Sequence, residues 1–201
     1  MPTKVPLHLF AFLGLFFLLA GASEPASAAN AERDDYFWQA LTHTQYIAEG
    51  KQGPVVYLFL DPNCPYCHKL YDQLQEKVAK GKLRLRVVVV GFLSPSSHAK
   101  AAAILSAADP RAALAKNESG FAIRDGRPEG GIAPADPTLV AKEAGILHRN
   151  FAFLEGKESL LDSVPPGVVT VPLLVYRSQG QEHYLVNLPT EEQWQEILDA
   201  K

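Results

Sequence analysis

The sequence contains two cysteines, and together they form one Cys-x-x-Cys motif, Cys64-Pro65-Tyr66-Cys67. An apolar run at residues 55–60 precedes the motif and an amphipathic run at residues 68–74 follows it, so we expect the motif to begin a helix directly after a strand. The free N–H groups of a first helical turn and the positive end of the helix dipole stabilise a thiolate there. The spacing therefore predicts thiol–disulfide exchange, with Cys64 as the exposed attacking thiol and Cys67 as the resolving thiol.

The residues around the two thiols are candidates for tuning their reactivity. Pro65 and Tyr66 lie between the cysteines and are expected to influence the reduction potential of the pair. His68 directly follows the second cysteine. We interpret His68 as a surface residue of the first helical turn, and stabilisation of the thiolate by a charged His68 is the alternative.

Other uses of a cysteine pair are also open to this motif. A tetrahedral zinc site needs two more ligands, and the six histidines contain no His-x3-5-His pair. A purely structural disulfide across so small a ring restricts the unfolded chain little. Residues 64–68 match the c-type haem attachment pattern Cys-x-x-Cys-His, but the only methionine, Met1, leaves no Met axial ligand. We predict a redox dithiol without metal or other cofactor, with a non-catalytic metal- or haem-binding protein as the alternative.

The N-terminal residues resemble a secretory signal. Lys4 precedes a nearly continuous apolar run at residues 7–22, and Ala26-Ser27-Ala28 supplies the small residues that a signal peptidase needs. We therefore expect residues 1–28 to be a cleaved signal peptide and the mature protein to be periplasmic. An uncleaved membrane anchor is the alternative, although the run is shorter than the roughly 20 residues of a spanning helix. The net charge is −3 and gives no reason to propose nucleic acid as a partner.

The remaining sequence predicts one domain after a lead-in segment. Residues 29–52 are predicted to be a lead-in helix and linker, with the helix over residues 30–49, and residues 53–201 the catalytic domain. Within this domain we expect strands at residues 55–60, 83–91, 168–176 and 183–186, a motif helix ending near Lys80, and a last helix opened by a capping box at Thr190. Residues 94–166 are expected to form an insert, with helices from His98, Asp109 and Asp136 and a loop over residues 118–135. The order predicts an α/β protein, a thioredoxin fold with a central helical insertion before the cis-proline strand.

Pro172 supports this fold, because a proline at the start of a fully apolar strand needs a special purpose. In thioredoxin-like proteins a cis-proline faces the dithiol, and the backbone beside it pairs with the substrate as an added strand. We therefore predict a cis Val171–Pro172 bond, with Thr170, Val171 and Pro172 forming the substrate groove. An ordinary trans proline at an edge strand is the alternative.

With these residues placed, the chain resembles the DsbG branch of the DsbC/DsbG periplasmic thiol:disulfide interchange proteins over roughly residues 37–201. The resemblance lies in residues 61–69 around the motif, residues 81–86, residues 101–105 with Asp109-Pro110, and Leu188-Pro189. It implies a reductase or isomerase that acts on misformed disulfides or oxidised cysteines of exported proteins. It also implies a membrane recycling partner of the DsbD kind. A DsbA-like dithiol oxidase is the alternative.

Three features depart from the family pattern. The family's N-terminal dimerisation domain has no counterpart beyond the predicted helix at residues 30–49, so we expect a monomer or weak dimer. Val171 stands where the family usually has threonine. Leu58 stands where thioredoxins place a buried carboxylate, so the base for Cys67 is unidentified. Asp61 is the nearest carboxylate, and we interpret it as a turn cap rather than that base.

Overall fold

The computed structural model describes Met1, residues 37–155 and residues 168–200. Residues 2–28 of the predicted signal peptide, residues 30–36 of the predicted helix and residues 156–166 of the predicted insert lie outside these residues. Residues 37–42 are helical. The strands are β1 (Tyr46–Glu49), β2 (Val55–Leu60), β3 (Arg84–Val89), β4 (Ala122–Arg124), β5 (Arg127–Glu129), β6 (Leu173–Ser178) and β7 (Gln181–Leu185). The helices are α1 (Pro65–Ala79), α2 (Ser97–Leu105), α3 (Pro110–Ser119), α4 (Pro137–Glu155) and α5 (Glu191–Asp199).

Five strands form one mixed sheet in the order β1-β3-β2-β6-β7. The central strand β2 runs parallel to β3, with Leu58 opposite Val87, and antiparallel to β6, with Leu58 opposite Leu174. A central strand is covered on both faces, which explains why β2 is apolar throughout rather than alternating. This topology confirms the predicted α/β fold with a helical insertion between β3 and β6.

Alternate residues of β2 face two different hydrophobic clusters. Leu58 packs with both cysteines and with apolar residues of α1 and α5, including Leu74 and Ile197. On the opposite face, Phe59 packs in a cluster that includes Leu154 of α4. Because both clusters meet at β2, the strand that carries the motif at its end is held in a buried core from both sides.

The predicted helix over residues 30–49 is wrong in its last part. Residues 46–49 form strand β1, which pairs antiparallel with β3 and places Ile47 opposite Val87. Ile47 and Glu49 are buried, whereas the alternate residues are more exposed. A short apolar run fits a helical or a strand period equally well, and here pairing along β3 decides the outcome. The segment ends at Gly50, whose φ of 79° favours glycine.

The insert contains the three predicted helices and one hairpin that was not predicted. Asp109 caps α3 by accepting a hydrogen bond from Ala112 N, as its position before Pro110 predicts. The predicted loop over residues 118–135 is wrong in part, because α3 continues to Ser119 and β4 pairs with β5. The sequence signal for this hairpin was Asp125-Gly126, and both residues have positive φ. Helix α4, predicted to begin at Asp136, is continuous over its described length.

The C-terminal part contains the two predicted strands, although β6 begins at Leu173 rather than at residue 168. Gln179 and Gly180 form the turn between β6 and β7, and both have positive φ. Thr190 and Gln193 form the predicted capping box at the start of α5. Within residues 37–155 and 168–200, no helix combines the length and the apolar character needed to cross a membrane.

Candidate active site

The Cys-x-x-Cys motif lies where β2 ends and α1 begins. Cys64 is the N-cap of α1, and Pro65 occupies the first helical position. The backbone N–H of Cys67 donates a hydrogen bond to Cys64 Sγ at 3.1 Å, and the two cysteines are joined as a disulfide. The same N–H is in place to stabilise a Cys64 thiolate once the disulfide is reduced, because a donor of the first helical turn has no carbonyl partner within the helix.

Both cysteines are more covered than expected. Cys64 is 3% exposed and Cys67 is fully buried in the disulfide form, so Cys64 is not the exposed residue that we expected. The assignment of Cys64 as attacking thiol and Cys67 as resolving thiol stays a prediction. One reason is the segment before β6, since Cys64 Sγ lies 3.8 Å from the carbonyl oxygen of Val171. Tyr66, by contrast, is 60% exposed beside the motif. Only a small part of the attacking sulfur therefore meets solvent in the oxidised protein.

The predicted groove residues lie beside the dithiol. The Val171–Pro172 peptide bond is cis, as predicted. Thr170 and Val171 are half-buried, and Pro172 is buried. Their position is set by β6, which begins at Leu173 and runs antiparallel to β2. The roles assigned to these residues, and to Pro65 and Tyr66, remain predictions.

Asp61 acts as a cap for the loops around the motif. Its Oδ1 atom accepts hydrogen bonds from Asn63 N at 2.9 Å and from Ser97 Oγ at 2.7 Å. Its Oδ2 atom accepts from the backbone N–H groups of Phe92 and Leu93 at 2.7 and 3.0 Å. Because both oxygens already accept two hydrogen bonds, the geometry favours the turn-cap interpretation over a role as base for Cys67. Leu58, at the position that thioredoxins give to a carboxylate, is fully buried.

A buried polar network joins the insert to the residue before Cys64. Asn63 donates through Nδ2 to the hydroxyls of Ser94, Ser96 and Ser97. Its Oδ1 atom accepts from Lys100 Nζ at 3.1 Å and from Gly130 N at 3.0 Å. Lys100 also donates to Gly130 O at 2.8 Å. We call this set the insert network, comprising Asn63, Ser94, Ser96, Ser97, Lys100, Asn117, Glu118 and Gly130.

The other half of the insert network comes from the end of α3. Asn117 donates to Pro62 O at 3.0 Å and to Glu118 Oε1 at 2.9 Å. Gly130 packs so closely here that a Cβ atom would lie 2.1 Å from Asn117 Oδ1, so no larger residue fits without a shift. The insert is thus hydrogen-bonded to both residues that directly precede Cys64, Pro62 and Asn63. Sequence reasoning missed this network; the only signal was Lys100 within an otherwise alanine-rich helix.

Glu118 is a buried carboxyl close to the motif helix. Its side chain is 4% exposed, and burial raises the pKa of Glu118 to about 8. The charges of Asp72 and Asp61 raise this pKa as well, whereas the hydrogen bond from Asn117 lowers it. The sequence placed Glu118 in a loop and gave no reason to select it.

His68 is not the plain surface residue that we predicted. Its Nδ1 atom lies 3.2 Å from Glu118 Oε2, and its Nε2 atom lies 3.6 Å from Asp72 Oδ2. Its ring stacks on Phe121 at a centroid distance of 4.6 Å, and its side chain is 27% exposed. An attached haem would need an open face shared by both sulfurs and His68. This arrangement does not favour one, because the sulfurs are covered and the ring is stacked.

The fold and the site together define a class of protein. A dithiol at a helix N-terminus, opposite a cis-proline strand in a mixed sheet, is the arrangement of thioredoxin-like proteins. The family model described as a thioredoxin-like domain matches residues 41–200. The chain belongs to this family.

Two curated relatives identify the kind of thioredoxin-like protein that the chain is similar to. It is 33% identical over 167 residues to the thiol:disulfide interchange protein DsbG of Pseudomonas aeruginosa, covering 82% of this chain and 59% of that protein. It is 41% identical over 75 residues to DsbG of Escherichia coli K12, covering 36% of this chain and 30% of that protein. The chain thus spans less than two thirds of either relative. The DsbG-like resemblance of the sequence is confirmed.

Solved structures support the fold alone. The crystal structure of Pseudomonas aeruginosa DsbA2 matches with a TM-score of 0.55 and 15% identity, covering 76% of this chain and 91% of that one. A periplasmic thioredoxin-like protein from Salmonella enterica serovar Typhimurium matches with a TM-score of 0.53 and 15% identity. That match covers 82% of this chain and 94% of the other.

Proposed function

We propose that the protein is a thiol:disulfide oxidoreductase that acts on exported proteins through Cys64 and Cys67. The observation that carries the proposal is the disulfide-bonded pair at the start of α1, with the Cys67 N–H directed at Cys64 Sγ. This donor lies on the outer sulfur, which is the one that must become a thiolate and attack. The likeness to DsbG supports reduction or isomerisation as the direction of the reaction in the periplasm.

The exchange proceeds in two steps. The Cys64 thiolate attacks one sulfur of a client disulfide, the client S–S bond breaks, and the other client sulfur leaves as a thiolate that takes up a proton. Cys67 then loses its proton and attacks Cys64 Sγ, which releases the second client sulfur and leaves the Cys64–Cys67 disulfide. A client sulfenic acid gives the same mixed disulfide, with its oxygen leaving as water. Two electrons from a reducing partner return the motif to its starting state.

The surface around Cys64 suits an unfolded client segment. Val171 lies beside the sulfur, and a client strand that pairs with its backbone would bring a client disulfide close to Cys64. The side chains of Tyr66, Leu93 and Val168 are exposed apolar groups. In the chain, Tyr66 follows β2, Leu93 follows β3 and Val168 precedes β6, and the pairing of these strands brings the ends of β2 and β3 and the start of β6 to the same end of the sheet as the motif. Exposed apolar side chains at one end are typical of a surface that contacts other proteins.

The test of this function is capture of mixed disulfides. In a Cys67→Ala variant, Cys64 can attack but nothing resolves the adduct, so client proteins should stay attached and appear as a ladder on a non-reducing gel of periplasmic extract. The matched control is Cys64→Ala, which should capture none. Equal ladders from both variants would contradict the assigned roles, and no ladder from either would support a non-catalytic binding protein.

The direction of the reaction is a separate part of the proposal. Thiol trapping in cells measures the redox state of the motif with and without a membrane recycling partner of the DsbD kind. A mostly reduced motif supports the reductase or isomerase, whereas a mostly oxidised motif supports the DsbA-like oxidase. The expectation of a monomer or weak dimer stays a prediction that light scattering measures.

A further inference from the structure

The buried carboxyl of Glu118 takes no part in the exchange steps described above. Two contacts nevertheless connect it and its neighbour Asn117 to residues on either side of Cys64. On one side it contacts His68, whose backbone N–H donates to Cys64 O at 3.0 Å. On the other side its neighbour Asn117 donates to Pro62 O, two residues before Cys64. Glu118 and His68 therefore form a contact between the insert and the first turn of α1.

The groups around this contact make it a poor place for a negative charge. Asp72 of α1 lies 3.6 Å from Nε2 of His68, and Asp61 lies in the loop that follows β2. Tyr71 on the same helix is buried, and its own pKa is raised by burial and by the charges of Glu49 and Glu118. Arg111 of α3 is the cation that opposes this shift in Tyr71. Carboxylates thus predominate around Glu118, and burial of its side chain favours the neutral form.

We propose that His68 and Glu118 share one proton beside the first turn of α1, and that this pair couples reduction of the dithiol to proton uptake. The inference rests on the proposed function, because it assigns a task within thiol–disulfide exchange. The shared proton can lie on Glu118, which leaves both side chains neutral, or on His68, which leaves a carboxylate beside an imidazolium. The pair has no net charge in either case. Loss of the shared proton leaves one negative charge near the thiolate of Cys64. Both residues are positioning residues, since they act through that thiolate.

The proton balance gives the proposal a measurable consequence. Two glutathione thiols and the protein disulfide give glutathione disulfide, a Cys64 thiolate, a Cys67 thiol and one proton. If the pair has lost its proton in the oxidised protein, the new thiolate attracts a proton back to the pair, because two nearby negative charges repel. Reduction then takes up one additional proton. Compared with a protein that lacks the pair, the equilibrium constant for reduction must therefore become smaller as the pH rises above the value at which the oxidised pair loses its proton.

The experiment measures this equilibrium constant with glutathione between roughly pH 6 and pH 9.5, a range that brackets the expected loss of the proton. Wild type is compared with Glu118→Gln, which keeps the size of the side chain but cannot ionise. The equilibrium constant of wild type divided by that of the variant should be the same at all low pH values. Above about pH 8 this ratio should fall roughly three- to tenfold, as expected for one thiolate acting on one nearby group. Parallel profiles would overturn the proposal, even if the variant were less stable.

A matched control exists elsewhere in the chain. Glu196 lies 3.4 Å from Nδ1 of His183, and His183 stacks on Tyr176 at 4.9 Å, so this second pair has a similar composition. It lies between β7 and α5, and the Glu196 side chain is 40% exposed. Glu196→Gln should follow the wild-type profile. If Glu196→Gln changed the pH profile of the equilibrium constant as much as Glu118→Gln does, the assignment of the effect to Glu118 would be contradicted.

A second measurement keeps the proposal testable if Glu118→Gln does not fold. Infrared difference spectra of the wild-type protein at about pH 9 should show a band of either a protonated carboxyl or a protonated imidazole that appears on reduction, since the pair takes up a proton there. Reduction with neither band would overturn the proposal. A dithiol that does not equilibrate with glutathione at all would overturn the proposed function as well, so the two failures are distinguishable.

Discussion

The dithiol lies between two regions of opposite character. Beneath it, the sheet core is mainly apolar, and Leu58 of β2 lies in one hydrophobic cluster with residues of α1. Beside it, the insert supplies buried polar residues: Lys100 and Asn117 are hydrogen-bonded to the loop before Cys64, and Glu118 accepts a hydrogen bond from Asn117. An apolar core fixes position but carries no charge, whereas a buried hydrogen-bonded network sets the local potential. We infer that the sheet sets the position of the two sulfur atoms and that the insert tunes their redox equilibrium.

The largest expected effect is the loss of stability in a variant of the sheet core, which tests whether the core only positions the dithiol. Leu58→Ala removes a fully buried side chain from the central strand and should lower the free energy of unfolding by about 2–5 kcal/mol. The glutathione equilibrium constant should stay close to that of wild type, because no charge or hydrogen bond changes. Urea denaturation measures the first quantity. A large shift in the equilibrium constant would show that the core also tunes the dithiol.

The next effect concerns the insert and depends on pH. The pKa of Glu118 is raised to about 8 in the folded protein, above its unfolded value, so the folded state binds more protons between those two values. The contribution of Glu118 to stability is therefore fully present below the unfolded pKa and is lost as the pH rises through about 8. The free energy of unfolding should fall by about 2–4 kcal/mol from about pH 5 to pH 8 for this reason.

Glu118→Gln is the variant that isolates this contribution. It should remove most of that fall, while Glu196→Gln, which alters the more exposed carboxyl, should preserve it. Urea denaturation at a series of pH values measures both. A wild-type stability that rises over the same range would contradict the assignment of a neutral, buried Glu118.

The two regions also differ in how far the sequence predicts them. The strands and helices follow from local patterns, such as the apolar run of β2, Pro110 after Asp109 at the start of α3, and the capping box at Thr190 before α5. The insert network does not, because its hydrogen bonds join residues far apart in the chain, such as Asn63 with Gly130. A polar residue in a helix is usually predicted to face solvent, and only the tertiary fold shows that Lys100 and Glu118 face inward. Strand β1 was missed for a related reason, since its pairing with β3 decided a pattern that was locally ambiguous.

The smallest expected effects distinguish the hydrogen bonds that Lys100 donates from its ion pair with Glu129. Lys100→Met removes the donor to Asn63 Oδ1 and Gly130 O, and it should cost about 1–3 kcal/mol because buried acceptors lose a partner. It also removes a positive charge near the residue before Cys64, so the glutathione equilibrium should shift toward the disulfide. The ion pair between Lys100 and Glu129, at 3.7 Å with the Glu129 side chain 37% exposed, is a weaker contact. Glu129→Gln should therefore cost less than about 1 kcal/mol and leave the glutathione equilibrium near wild type. If Glu129→Gln matched Lys100→Met in both measurements, the ion pair rather than the hydrogen bonds to the motif loop would be the contact through which Lys100 acts.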